Sequence, residues 1–389
     1  MHPRQSRVPR KVSRLAAFAA LVALCASAQT PPTNGAVPAP TETAVVPPPA
    51  KPAAPAILAL IVPSQGTSFA RAADAVRRGF FAAHTAAAAP VVVQVVEIDE
   101  TTAQLTTALN GARDRGVAVA VGPLTRTLAS AVGDGRVPAP LPLITLTLPD
   151  SDVALAPASL AFGLSAEMEA RQIVRAALRE LPPRATVAPL AGPRFVVLAG
   201  SSPLARRVAT AFRSELREAG EAVTSIDVRV TYDALQTLTE QMAARKPDAA
   251  FFALEAREAA AIRPRLSRTL PIYATSQINL GGAEAALLAP ELEGVRFVDA
   301  PWLLEPDHPA VMVHSRPDQA LSGELQRLYA LGIDAYRLAL EWAQGRRAFQ
   351  IDGVTGALRV DREHATRVER LPTLAVFRNG VIERTGLGQ

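Results

Sequence analysis

Short, wholly apolar runs alternate with amphipathic segments from Ile57 onward, and this alternation constrains the fold more than any other feature of the sequence. The run ILALIVPS at 57–64 is typical of a strand buried in a parallel sheet. The next segment places Phe69, Val76 and Phe80 on one face of a predicted helix, with Thr67 as its N-cap. Because such units follow one another repeatedly, the sequence predicts an α/β protein with right-handed crossovers.

The alternation begins anew near residue 164, which indicates two lobes, each a mostly parallel sheet flanked by helices. We assign residues 57–389 to this domain, with lobe one at about 57–163 plus 305–350 and lobe two at about 164–304 plus 351–389. Near the C-terminus, GALRV (356–360) and TLAVFRNG (373–380) are expected to add strands to lobe two. The segment DREHATRVER (361–370) is expected to form the exposed turn between them.

The first 28 residues have the three parts of a secretory signal. A basic segment ends at Arg14, LAAFAALVALCA follows as a short apolar stretch, and Ala26-Ser27-Ala28 supplies a small-x-small cleavage site. We therefore expect a signal peptide at 1–28 and a periplasmic protein, with an outer-membrane lipoprotein anchored at Cys25 as the alternative. Residues 29–56 are rich in Pro and Ala and predict a disordered linker.

The net charge of +5 is concentrated in the signal segment, which holds five basic residues and no acid. The remainder is close to neutral and shows no basic face, so nucleic acid is not an expected partner. Cys25 is the sole cysteine, so removal of the signal peptide leaves no disulfide.

Motifs that carry catalytic chemistry are missing from the sequence. There is no phosphate-binding loop, no nucleophile elbow, no Ser-x-x-Lys site and no His-Glu-x-x-His spacing. His308 and His314 lie among prolines and are expected to be exposed loop residues rather than metal ligands. We therefore expect no enzyme activity, no cofactor and no metal.

Ligands of open parallel sheets bind beyond the carboxyl ends of the strands, and polar residues follow several predicted strands of both lobes. Hydroxyl groups and free helix amides suit a carboxylate, and an acid suits an ammonium group, although the same residues also serve as helix caps and turns. The candidate cleft-lining residues are Ser64, Gly66, Thr67, Thr125, Thr145, Thr147, Ser201, Glu255 and Gln277.

Three late segments carry a resemblance to a known family: DAPWLL (299–304), LQRLYALGIDAYRLA (325–339) and TGALRVDREHATRVERLPTLAVFRNG (355–380). Together they resemble the penicillin-binding-protein activator family, the C-terminal module of the LppC/LpoA proteins. The whole region from about 57 to 386 is similar to the type I periplasmic binding-protein fold, and DGVTGALRVDRE (352–363) is similar to a segment of branched-chain amino-acid receptors.

The resemblance implies a non-catalytic protein that binds a bifunctional penicillin-binding protein and stimulates peptidoglycan synthesis in the cell envelope. The alternative is a periplasmic solute-binding receptor that delivers an amino acid or a similar small molecule to a transporter. A third alternative is an envelope scaffold with neither role. A receptor needs convergent polar partners for both ends of an amino acid, and lobe two offers few of them in the sequence.

Overall fold

The computed structural model describes residues 55–150, 155–156, 158–181 and 194–385. The expected signal peptide at 1–28, Cys25, and the expected linker up to residue 54 lie outside these residues. In the described ranges, no helix combines the length and the apolar character that crossing a membrane requires.

Lobe one contains a five-stranded, fully parallel sheet in the order β2-β1-β3-β4-β5, with helices on both faces. Its elements are β1 (Ala56–Pro63), α1 (Ala70–Ala87), β2 (Val91–Ile98), α2 (Thr102–Asp114), β3 (Val119–Val121), α3 (Arg126–Gly133), β4 (Leu143–Thr145) and β5 (Ser159–Ala161). Both faces of β1 are covered, so its side chains are buried on either side of the sheet. This explains why the run is wholly apolar.

Lobe two contains a seven-stranded sheet in the order β15-β14-β10-β9-β8-β6-β7. Its first part comprises α4 (Ala166–Glu180), β6 (Phe195–Ala199), α5 (Pro203–Glu218), β7 (Val223–Asp227), α6 (Tyr232–Arg245), β8 (Ala249–Ala253), α7 (Ala256–Ile262), β9 (Ile272–Ala274), α8 (Gly282–Leu288) and β10 (Val295–Asp299). The α/β architecture with a mostly parallel sheet in each of two lobes, predicted from the alternation, is confirmed.

After β10 the chain returns to lobe one and crosses once more before it ends. These elements are α9 (Pro301–Leu304), α10 (Pro309–Met312), α11 (Gly323–Ala343), β11 (Ala348–Asp352), β12 (Ala357–Asp361), β13 (Glu369–Leu371), β14 (Thr373–Arg378) and β15 (Val381–Arg384). Helix α11 packs into the lobe-one core beside α1. Strands β14 and β15 join the lobe-two sheet in antiparallel orientation.

The expected role of GALRV is wrong. This segment forms β12, which pairs with β11 and β13 in a separate three-stranded antiparallel sheet. Ile351, Leu358 and Val360 belong to the same hydrophobic cluster as α1 and α11, so burial against lobe one determines where this sheet lies. The expected exposed turn at 361–370 is also only partly correct, because Val368 and Arg370 are buried.

Two glycines bring α1 and α11 into close contact. A Cβ atom on Gly79 would lie 1.9 Å from the carbonyl oxygen of Tyr329, and one on Gly332 would lie 2.1 Å from that of Val76. These distances are far below a van der Waals contact, so only glycine permits the two helix backbones to pack this closely.

Thr67 does not cap α1, contrary to the sequence-based expectation. The helix begins at Ala70, and the Thr67 hydroxyl instead donates to the carbonyl oxygen of Ser64 at 2.9 Å. Phe69 precedes the helix and is 45% exposed, so it does not contribute to the buried face.

Candidate functional site

The carboxyl ends of the lobe-one strands carry hydroxyl groups that already have acceptors within the protein. Ser64 follows β1 and donates to Oδ1 of Asp99 at 2.5 Å. Thr125 follows β3 and donates to Oε2 of Glu100. Both acids follow β2. Their carboxylates accept the hydroxyl hydrogen bonds that the carboxylate of a ligand would otherwise receive.

Among the other lobe-one candidates, the hydroxyls of Thr67 and Thr145 donate hydrogen bonds within the protein, whereas Gly66 is accessible. Thr145 is fully buried and donates to the carbonyl oxygen of Thr147 at 2.9 Å. Gly66 is open, with no atom within 4 Å of a Cβ placed on it. The backbone around Gly66 and Thr67 therefore forms an accessible turn, while the hydroxyls of Thr67 and Thr145 stabilise the loops themselves.

Asp99 and Glu100 differ in their electrostatics. Hydrogen bonds from Ser64, and then from Gln104, lower the pKa of the Asp99 carboxyl. Burial raises the pKa of Glu100, an effect that the hydrogen bond from Thr125 opposes only in part. Oε1 of Glu100 has no hydrogen-bond partner among the described residues. This side of the cleft is thus acidic, which the sequence reading missed although both acids directly follow an apolar strand.

The lobe-two candidates form a helix cap rather than an open site. Glu255 is the N-cap of α7, and its side chain and that of Glu258 form a reciprocal capping box. Glu255 and Gln277 line the same cavity together with Ser202, whereas Ser201 does not line it. The cavity volume is about 10 Å³, which is about the room that one water molecule needs. An amino acid does not fit there without a rearrangement.

A buried ion pair joins the two lobes beside this cleft. Arg327 of α11 donates through Nε and Nη2 to the two carboxylate oxygens of Asp299 at the end of β10, each at 2.7 Å. Arg327 also donates to the carbonyl oxygens of Ser276 and Asn279, at 2.9 and 2.6 Å. Asp299 accepts further hydrogen bonds from Asn279 Nδ2 and from the backbone amide of Ala300. Both carboxylate oxygens of Asp299 and two of the three guanidinium nitrogens of Arg327 therefore have partners, as a buried pair requires.

A second buried carboxylate holds the segment that leads back from lobe one. Asp334 of α11 is fully buried and accepts hydrogen bonds from the backbone amides of Val354 and Thr355, at 3.1 and 2.8 Å. The hydroxyl of Thr355 donates to it at 2.7 Å, and Arg337 forms an ion pair with it at 3.2 Å. The turn between β11 and β12 is thus fixed to α11.

A third buried pair connects this turn to lobe two. Arg370 donates to the carbonyl oxygen of Thr355 at 3.0 Å and to Oε1 of Glu169 in α4 at 2.8 Å. The other oxygen of Glu169 accepts from the backbone amide of Ser276 at 3.1 Å. Since Ser276 also accepts from Arg327, the polar contacts run without a break from Asp334 to Asp299. We call this set, Glu169, Asp299, Arg327, Asp334, Thr355 and Arg370, the hinge network.

The three segments that carry the family resemblance supply most of the hinge network. Asp299 lies in DAPWLL, Arg327 and Asp334 lie in LQRLYALGIDAYRLA, and Thr355 and Arg370 lie in the last segment. The charged residues of these segments are not recognisable as a set from the sequence pattern alone. The available signal was the placement of Arg327 and Asp334 among the apolar residues of a long helix, because such residues are rarely buried unless they are paired.

The lobes have an additional contact at the solvent-exposed edge of the cleft. Arg126 at the start of α3 lies 3.7 Å from Glu167 in the first turn of α4, and Arg207 of α5 lies 2.8 Å from the same carboxylate. Burial opposes the charge of Glu167, but its backbone amide, the Ser165 hydroxyl and the two arginines outweigh burial and lower its pKa. This contact adds a charged link between lobe one and lobe two.

The histidines that the structure describes show no arrangement suited to metal binding. Throughout the described ranges, no group of three or more His, Cys, Asp or Glu residues is placed to hold a metal ion. His308 caps α10 by accepting from the amide of Ala310 at 3.3 Å. His314 is buried rather than exposed, so the expectation for this residue is wrong.

The family comparison covers most of the chain. Residues 50–380 of the 389 match the model of a family described as "LppC putative lipoprotein". The penicillin-binding protein activator LpoA of Edwardsiella ictaluri is 26% identical over 332 residues, covering 74% of this chain and 46% of that relative. The chain therefore spans about half the length of the curated relative that it matches.

Two solved structures share the two-lobed fold. One, from Chromobacterium violaceum and described as a "putative branched-chain amino acid ABC transporter", is 32% identical with a TM-score of 0.68, covering 82% of this chain and 99% of that one. The other, the C-domain of LpoA from Haemophilus influenzae, described as a regulator of PBP1A, is 20% identical with a TM-score of 0.65, covering 85% of this chain and 100% of that one. These likenesses confirm the predicted type I periplasmic-binding-protein-like fold.

The family match includes both lobes and the hinge network that joins them. It extends over far more than half of the sequence, and the structural likeness extends over the same region. The chain belongs to the LppC family.

Proposed function

We propose that this chain is a non-enzymatic activator that binds a bifunctional penicillin-binding protein and stimulates peptidoglycan synthesis. The observation that carries the proposal is the match of 74% of the chain to a relative named as a penicillin-binding protein activator. The protein acts in the periplasm after export, either as a soluble form cleaved near Ala28 or as an outer-membrane lipoprotein attached through Cys25.

The geometry supports a docking body with a fixed shape. The hinge network holds the two lobes together through buried charged groups, and removing one member of a buried pair costs about 3–5 kcal/mol. A protein partner that recognises surfaces on both lobes gains from such preorganisation, since less conformational freedom is lost on binding.

A receptor for an amino acid is the second candidate, favoured by the description of the Chromobacterium violaceum structure. The cleft opposes it on the lobe-one side, where Ser64 and Thr125 donate to Asp99 and Glu100. The carboxylate of an amino acid would meet two acidic side chains there instead of free hydroxyl donors, which is electrostatically unfavourable.

The two candidates are separated by a transpeptidation assay with the purified mature chain and a bifunctional synthase. We expect the chain to retain the synthase in a pull-down and to raise the yield of cross-linked product. A leucine receptor of the same fold, added at the same concentration, is the matched control and should do neither. Failure of the chain to bind and stimulate every bifunctional synthase of its own cell would refute the activator proposal.

A thermal-shift screen over amino acids tests the receptor directly. A ligand present at 100 times its dissociation constant adds about 2.7 kcal/mol to the free energy of unfolding, which gives a shift of several degrees. We expect no such shift with any single amino acid. Labelling with palmitate, with Cys25→Ser as the control, distinguishes the lipoprotein from the soluble form.

A further inference from the structure

A pocket of about 440 Å³ lies where the two lobes meet, separate from the candidate cleft residues. Helix α8 forms one wall, α9 and the segment that follows it form another, and the turn between β14 and β15 closes the third side. Its volume is within the range of ligand-binding pockets, and its lining is mainly apolar with a few polar groups, as such pockets are. We call it the Trp302 pocket.

The charged lining of the Trp302 pocket, as far as the structure describes it, is positive. Of the residues that the structure describes, no Asp or Glu lines it, whereas Arg316 does. The Arg316 guanidinium lies 3.9 Å above the Trp302 ring, and its Nη1 donates to the Trp302 carbonyl oxygen at 3.0 Å. Its remaining N–H groups have no acceptor within the described part of the chain. An arginine held flat in this way, with donors to spare, is suited to a carboxylate.

The Trp302 side chain lines the pocket and is itself almost completely buried. Trp302 is 1% exposed, and its Nε1 has no hydrogen-bond partner among the described residues. A buried tryptophan N–H usually has one. The pocket therefore combines an apolar lining with one guanidinium group, that of Arg316, whose further donors are available to a ligand.

A strand edge adjoins the same pocket. Val381 is 54% exposed, and it lines the pocket together with Ile382 of the same strand, β15. In the described residues, β15 pairs only with β14 and is the outermost strand of its sheet. An extended peptide can hydrogen-bond to such an edge, with alternate side chains entering a neighbouring pocket.

We propose that the Trp302 pocket is the docking site for an extended segment of a partner protein, in which an apolar side chain fills the pocket and an acidic side chain two positions away binds Arg316. The spacing of two follows from the alternation of side chains along a strand, because both groups must face the same side. This proposal does not depend on the identity of the partner, since it is defined by the chemistry of the pocket.

Nuclear magnetic resonance of the tryptophan side chains tests the proposal in the whole protein. The chain has two tryptophans, so the indole N–H signals are those of Trp302 and of Trp342, which serves as an internal reference. The probe is a hexapeptide with both ends blocked. It contains the sequence Leu-Thr-Glu, and its other positions continue the alternation with Val and Thr. We expect saturable movement of the Trp302 signal only, and at least about tenfold weaker binding of the Leu-Thr-Lys version, because the charge-assisted hydrogen bond is lost.

Two matched pairs of variants sharpen the test. Ala286 is exposed and lines the pocket, so Ala286→Phe should abolish the movement of the Trp302 signal, whereas Ala283→Phe, exposed on the same helix outside the pocket, should preserve it. Arg316→Gln should weaken binding about tenfold, whereas the exposed Arg229→Gln should have no effect. Circular dichroism confirms that each variant is folded.

Three results would overturn the proposal. The first is a Trp302 signal that does not move with the acidic peptide. The second is equal binding of the Glu and Lys peptides, or binding that survives Ala286→Phe. The third is saturation of the same signal by free leucine at equal concentration, which would make the pocket a small-molecule site.

Discussion

Arg327 and Asp299 join the two lobes through two hydrogen bonds of 2.7 Å each, one from each of two guanidinium nitrogens. Arg327 is 7% exposed and Asp299 is fully buried. One residue belongs to a helix of lobe one and the other to a strand of lobe two. Nη2 of the guanidinium also donates to backbone carbonyls of lobe two, so Arg327 connects the lobes through both side-chain and backbone contacts.

Replacing Arg327 with Met should reduce the free energy of unfolding by about 3–5 kcal/mol, because Asp299 then remains buried without its counter-charge. Urea denaturation followed by circular dichroism measures the change. The exposed pair of Arg378 and Glu383 provides the control, since Arg378→Met should cost less than about 1 kcal/mol. Equal losses for both variants would contradict the role assigned to the buried pair.

Gly332→Ala should destabilise the protein by about 3 kcal/mol or more, although alanine is the better helix former. The added Cβ would lie 2.1 Å from the backbone carbonyl oxygen of Val76, so α1 and α11 must separate. Gly66→Ala is the matched control because its Cβ meets no atom within 4 Å. Thermal unfolding of the two variants should show a large loss only for Gly332→Ala.

His314 should make the protein lose stability as the pH falls from about neutral towards 4. Burial, with a smaller contribution from the like charge of Arg337, lowers the pKa of His314 from 6.5 to about 4. Between pH 6.5 and about 4, His314 is protonated in the unfolded state but stays neutral in the native state. The free energy of unfolding therefore decreases over this range, by at most about 3 kcal/mol.

The His314 effect is isolated by comparing the wild type with His314→Leu at several pH values. Other acids and histidines titrate in the same range and contribute equally to both proteins. We expect the difference in urea midpoint to change steadily between pH 7 and pH 4. A constant difference would show that His314 does not titrate differently in the native and unfolded states.

Glu100→Gln should stabilise the protein at pH 7 and have little effect near pH 4. Burial raises the pKa of Glu100, so the native state carries an unfavourable charge above that pKa and loses stability as the pH rises through it. Glutamine retains an acceptor for Thr125 without the charge. Thermal denaturation at the two pH values measures the effect, and a stabilisation that grows towards acid would contradict the expected direction.

The alternation of apolar runs was sufficient to predict the α/β class and the two sheets, because burial of strands between helices leaves a direct trace in the sequence. It could not place GALRV correctly. An apolar strand near the C-terminus fits the edge of either sheet equally well by pattern, and its position depends on burial against α1 and α11. That contact depends on the tertiary structure and leaves no periodic pattern in the local sequence.

The candidate cleft residues illustrate a different limit. Ser64 and Thr125 follow strands as expected, but the sequence does not show that Asp99 and Glu100 accept their protons. Likewise, Glu255 was recognised as either a ligand group or a helix start, and the structure places it as an N-cap. Pairing across loops depends on which strand ends are adjacent in the sheet, and strand order is not encoded locally.

The link between Glu169 and Arg370 spans 201 positions of the chain. During synthesis from the N-terminus onward, Glu169 emerges long before the arginine that neutralises it, and β14 emerges after both. The Glu169–Arg370 pair can form only after the segment around Arg370 has been made, so this joint between the lobes depends on residues that are far apart in the chain.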